Sequence, residues 1–182
     1  MTSRRWIWAL LLALVGVATY AGNVLATGSQ AFSGTTLAKA SFGELDIKAK
    51  TDTDPTRPGP QFWKADLKTK GLSDLYVQQN TWDPAVCDNK CIPSTGWHTH
   101  PGPSLVIVTQ GTVTAYEGDD PNCTPHVYSV NGTNAFVDIG SGDVHMIRDE
   151  SGAIAKTVAV QLIPKGATRR IDVVPAPGNC PF

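Results

Sequence analysis

Helical pattern is missing from this sequence. Beyond residue 34, no run of a dozen residues holds a 3.6-residue apolar period with good helix formers. That excludes a helical bundle and an α/β layer. Charge is scarce too: charged residues make up 17% of the 182, and the formal net charge is -1. A polyanionic partner such as nucleic acid has no electrostatic footprint here. No glycine loop of the nucleotide-cradling kind and no nucleophile triad stands out. There is no internal repeat, no low-complexity tract and no sign of a second domain. What remains is a 41% hydrophobic chain of a length that suits one domain with a sizeable core.

Long apolar runs are absent except at the front. Arg4 and Arg5 precede an apolar stretch, residues 6–22, followed by Asn23-Val24-Leu25-Ala26. A basic start, an apolar run and small residues describe an export signal, with Val24-Leu25-Ala26 as a passable cleavage site. Left uncleaved, residues 6–22 would anchor the chain in a membrane. Ser3-Arg4-Arg5-Trp6 also resembles a twin-arginine signal. Residues 1–26 are therefore assigned to a signal or anchor, 27–34 to a linker and 35–182 to the folded domain. Beyond residue 26 the chain holds 13 basic and 16 acidic side chains, a mild acidity.

Cysteine is sparse but even in number: Cys87, Cys91, Cys123 and Cys180. In an exported chain this suggests disulfides, with three connectivities open. The preferred pairing is Cys87–Cys91, closing a tight local loop, with Cys123–Cys180 pinning the end of the chain.

Short segments rich in Val, Ile, Thr and aromatics alternate with Gly, Pro, Asn and Asp. The pattern predicts strands over residues 35–49, 61–68, 74–82, 104–109, 112–116, 126–130, 135–138, 143–148, 154–163 and 170–174. Residues 51–60, with three prolines, read as a loop. The pair 104–109 and 112–116 reads as a hairpin folded at Gly111. Many short strands with regular turns imply an all-β sandwich or barrel.

The chemistry lies in the histidines. His98 and His100 sit in GWHTHPGPS, and His145 in GDVHMIRDE. On a strand, side chains two apart share a face. Two imidazoles on one face, joined by a third from a neighbouring strand, make three neutral nitrogen ligands for a divalent transition metal. Imidazole suits Fe, Mn, Zn, Ni or Cu, so the ion is not readable. A competing zinc site of Cys87, Cys91, His98 and His100 is disfavoured by tight spacing and by the oxidation of exported thiols.

These residues resemble the cupin superfamily. The cupin pattern runs Gly, His-x-His, Glu four residues on, then Gly after six more; here His98-Thr99-His100 is followed by Ser104 and Gly111. Its second half runs Pro-x-Gly-x-x-His-x-x-x-Asn; here Gly142 and His145 are followed by Asp149. The resemblance implies a double-stranded β-helix, or jelly-roll barrel, with a metal in its mouth. Ser104 stands where the family has its Glu, and a protonated hydroxyl is a poor ligand. The resemblance thus implies a three-histidine site, as in some iron dioxygenases of the family, with Ser104 beside it.

Three more residues merit weight. Asp149 shares strand parity with His145 and would accept a hydrogen bond from it, or would be a turn acid. Gln161, inside TVAVQLIP, faces either the barrel cavity or solvent. His126 reads as a strand-edge residue rather than a ligand. A three-neutral-ligand ion would favour an anionic small molecule. The functional expectation is an exported metal-binding barrel, either a dioxygenase-like or isomerase-like metalloenzyme or a non-catalytic ligand-binding or metal-storage module. A homodimer is compatible with it.

Overall fold

The computed structural model describes residues 28–51 and 63–182. The expected signal or anchor and most of the 51–60 loop lie outside the described residues. Among the described residues no α-helix occurs; one 3-10 turn, Pro84–Cys87, starts on an Asp83 cap. No helix there is long and apolar enough to cross a membrane.

Two five-stranded antiparallel sheets make the body. In chain order the strands are β1 (Phe32–Phe42), β2 (Asp46–Thr51), β3 (Trp63–Lys68), β4 (Ser73–Trp82), β5 (His98–Thr99), β6 (Ser104–Gln110), β7 (Thr112–Glu117), β8 (His126–Ser129), β9 (Ala135–Asp138), β10 (His145–Arg148), β11 (Ala155–Pro164) and β12 (Ile171–Asp172). One sheet runs β1-β4-β11-β6-β9 and the other β12-β5-β10-β7-β8; β2 and β3 form a separate hairpin. Trp82, Val108 and Ala155 of the first sheet pack against Val113, Ala115 and Ile147 of the second, so the sheets face each other and close a jelly-roll barrel. Fully burying a side chain of the size of Val108, Val113 or Ile147 contributes roughly 1.5–3 kcal/mol. The alternation behind this is explicit in β11, where buried and half-buried residues alternate down the strand.

The expected hairpin at Gly111 is not one. β6 pairs with β11 and β9, whereas β7 pairs with β10 and β8, so the chain crosses between sheets at Gly111. Gly111 has φ +69°, and a Cβ there would lie 2.6 Å from the Ile154 carbonyl oxygen. That is a corner rather than a two-residue turn. The strand expected over 35–49 is broken at Gly43-Glu44-Leu45, and its first half starts earlier, at Phe32. Gln30 bridges Ser94, so residues from 30 onward belong to the fold and not to a linker.

The second sheet is also covered on its outer face. Tyr116 and Met146 point away from the barrel interior and pack with Trp97 and Cys180. Cys180 comes from the chain's last residues, which are tied down by the Cys123–Cys180 disulfide. Cys87 and Cys91 form the other bridge. With both thiols oxidised, the competing Cys87/Cys91 zinc site is ruled out.

Candidate metal centre

His98, His100 and His145 come together at one end of the barrel. β5 lies beside β10, with His98 directly opposite His145, and His100 follows on the same face. One ring nitrogen from each lies within 4.8 Å of the others. Ring centroids are 4.4 Å (98–145), 4.8 Å (98–100) and 5.3 Å (100–145) apart. His98 and His145 are buried.

Backbone carbonyls fix two of the tautomers. His98 Nδ1 is 2.9 Å from the Gly96 carbonyl oxygen, and His100 Nδ1 is 2.5 Å from that of Arg169. A carbonyl only accepts, so both Nδ1 atoms carry the proton. In the neutral rings Nε2 is then left with a lone pair, the usual way an outer hydrogen bond prepares an imidazole for metal. His145 Nδ1 is buried with no hydrogen-bond partner. Burial, followed by the neighbouring His145, Arg170 and His100, pushes the His98 pKa well below its ordinary value. Burial also lowers that of His145, against the opposing pull of Asp138. The donor set thus fits a transition ion: three crowded imidazoles, of which burial disfavours the charged form of His98 and His145.

The sequence reading missed Asp138. It ends β9, is 7% exposed, and puts Oδ2 3.3 Å from His100 Nε2 and Oδ1 3.7 Å from His145 Nδ1. Nothing in the local sequence marks it, because its place follows from the pairing of β9 with β6. Asp138, Asp143 and His145 form a second cluster of potential ligands that shares one imidazole with the first.

The other sequence candidates divide. Ser104 and Gln161 are buried and line the same cavity, with Gln161 Nε2 donating to Ser104 Oγ at 3.3 Å. Asp149 is buried, but its carboxylate accepts from the amide and hydroxyl of Ser151. It caps the turn after β10, and no hydrogen bond joins it to His145. His126 is exposed on β8. The sequence reading also missed Arg169 and Arg170, which line the cavity.

The cavity beside the histidines has a volume of about 200 Å³. Its walls are mixed, with Phe32, Trp82, Val106 and Phe136 lining it together with the polar groups. Arg169 lies 5.2 Å from the Tyr76 ring centroid and donates to Gln78 Oε1. Among the described residues it has no carboxylate partner, whereas Arg170 pairs with Asp172.

No family model and no curated protein matches the sequence. Several solved structures overlap it in part. A cupin superfamily protein from Desulfitobacterium hafniense is 11% identical, with 71% of this chain and 81% of that one covered and a TM-score of 0.37. The polyketide cyclase RemF from Streptomyces resistomycificus is 16% identical over 57% of this chain and 64% of its own, at 0.41. An oxalate oxidase in complex with the substrate analogue glycolate is 17% identical over 48% of this chain, at 0.36. This chain spans 41% of that oxidase. These overlaps are shallow. The architecture itself is two facing five-stranded antiparallel sheets, with the His-x-His strand beside the strand of the third histidine. The three histidines line the cavity of this barrel.

Proposed function

We propose that this cupin barrel is an exported metal-binding protein whose His98, His100 and His145 hold one divalent transition-metal ion, and whose cavity receives a small anionic molecule. The observation that carries the reading is the convergence of one ring nitrogen from each histidine within 4.8 Å of the others, with Nδ1 of His98 and of His100 engaged by backbone carbonyls. A divalent ion there supplies Lewis acidity toward an anion in the open positions.

The chain's own residues support the choice of ligand. Arg169 is a cation on the cavity wall without a carboxylate partner among the described residues. Burial pulls its pKa down from the ordinary arginine value, yet guanidinium stays charged at neutral pH. A half-buried cation without a counterion is partly desolvated, and an incoming anion relieves that cost. The volume of about 200 Å³ is smaller than the roughly 300–1,000 Å³ of pockets for drug-sized molecules. Ser104 and Gln161 supply neutral polar contacts, and Gln161 Oε1 is a buried acceptor without a partner. Two disulfides suit an oxidising compartment and support export.

Metal analysis of untagged protein tests this reading, with about one transition ion per chain expected. Titration of the loaded protein with small carboxylates, followed by oxygen uptake, tests ligand class and oxidative turnover. Protein that takes up no transition ion at neutral pH would refute it.

A further inference from the structure

We infer that Asp138 is a fourth protein ligand to this centre: a carboxylate delivered from β9, standing in for the glutamate that Ser104 replaces on β6. The inference rests on the three-histidine reading above and adds a residue from a strand that the cupin pattern leaves silent.

Register comes first. Ser104 and Asp138 are directly paired across β6 and β9. Opposite residues on an antiparallel pair share a face, with Cβ atoms about 4.5–5.5 Å apart. Both side chains line the cavity. A carboxylate moved across one strand therefore reaches the same region from the adjacent wall.

The distances to two of the three imidazoles agree. Two atoms bound to one ion at about 2.1 Å lie about 3.0–3.4 Å apart for octahedral to tetrahedral angles. Asp138 Oδ2 is 3.3 Å from His100 Nε2. His100 Nδ1 is engaged by the Arg169 carbonyl, so Nε2 is the ring nitrogen turned toward the carboxylate. Asp138 needs a cation. It is buried, and among the described residues its ion-pair partners are His100 and His145 alone. A buried carboxylate without a cation is strongly disfavoured.

The carboxylate is held for the purpose. Asp138 Oδ1 accepts the Gly140 amide at 2.8 Å, which leaves Oδ2 toward the imidazoles. Gly140 has φ +66°, and a Cβ there would lie 2.4 Å from the Gly102 carbonyl oxygen. The turn that aims Asp138 thus locks onto the turn that follows His100. One anionic ligand also lowers the charge of a divalent centre to +1, leaving Arg169 as the main draw for an anion.

Cobalt(II) binding to the untagged full chain tests the assignment. Asp138→Asn should bind cobalt at least about tenfold more weakly than wild type and shift its visible absorption bands. Ser104→Glu/Asp138→Asn, which returns a carboxylate to β6, should recover most of that affinity. His98→Ala serves as the control for the triad and should bind no cobalt at the site. Equal affinity and superposable spectra for wild type and Asp138→Asn, with His98→Ala inactive in binding, would overturn the Asp138 assignment and leave the triad standing. Wild-type cobalt binding by His98→Ala would bring down the triad and the assignment together. If circular dichroism finds Asp138→Asn unfolded, Ser104→Glu/Asp138→Ser takes its place. Its failure to bind cobalt within about tenfold of wild type, while folded, overturns the assignment.

Discussion

His145 on β10 stands directly opposite His98 on β5, and the two rings meet edge-on with centroids 4.4 Å apart. The pairing makes the site a property of the sheet rather than of a loop. It also puts both rings in a region so buried that neither accepts a proton readily.

Replacement of either ring should therefore empty the site without unfolding the barrel. His98→Ala and His145→Ala are expected to lose bound metal while keeping the wild-type far-ultraviolet circular dichroism. The core of Trp82, Val108, Val113, Ala115, Ile147 and Ala155 does not include either residue. Elemental analysis beside a thermal melt checks both halves; wild-type metal content in both variants would count against the triad.

Glu117 carries a pH signature. It lies opposite His145 on β7, and burial, followed by repulsion from Asp143, Asp119 and Asp138, raises its pKa from 4.5 to about 7. The folded state thus holds the proton more tightly than the unfolded chain. Stability associated with this group is complete below about pH 4.5 and lost as pH rises through about 7. Glu117→Gln should melt higher than wild type at pH 8, by about 2–4 °C given the partial exposure of the group, and equally at pH 4. Metal-free protein in chelator is the sample, and an unchanged difference across that range would contradict the assignment.

The two disulfides differ in leverage. Cys87 and Cys91 are 4 residues apart, Cys123 and Cys180 57 apart. Loop entropy assigns about 2 kcal/mol to the first and about 4 kcal/mol to the second. The longer bridge also holds the terminal segment over Trp97, Tyr116 and Met146. Cys123→Ser/Cys180→Ser should lower the melting temperature clearly more than Cys87→Ser/Cys91→Ser. Thiol titration of denatured wild type should find none free, and two or more would refute the pairing.

Local sequence carried the strands and the histidines because both depend on short-range period. Alternation in residues 155–164 reads as a strand, and the His98-Thr99-His100 spacing puts two rings on one face whatever lies around them. Asp138 and Arg169 were not legible in that way. Asp138 matters only because β9 registers with Ser104 of β6, and Arg169 only because its carbonyl meets His100 while its side chain turns into the cavity. The crossing at Gly111 failed for a related reason. Gly-Thr between two β-rich segments is a fair hairpin signal, but the partners offered by β11 and β10 separate the two strands into different sheets. Asp149 had the right parity for His145, yet the nearby Ser151 amide and hydroxyl took its carboxylate first.

Arg169 offers the sharpest check on ligand class. Its backbone carbonyl orients His100, whereas its guanidinium lines the cavity, so the two roles separate on substitution. Arg169→Met keeps the carbonyl and an apolar stem of similar reach. It should leave metal content unchanged and weaken binding of a small carboxylate to the metal-loaded protein. Loss of one charge-assisted hydrogen bond, about 1.5–3 kcal/mol, corresponds to a Kd raised about 10- to 150-fold. Ionic strength should matter less for the variant than for wild type, since the screened attraction has gone. Calorimetric titration with acetate and with acetamide as its uncharged counterpart measures the difference. Equal acetate affinity in the two proteins would mean that the anion is drawn by the metal alone.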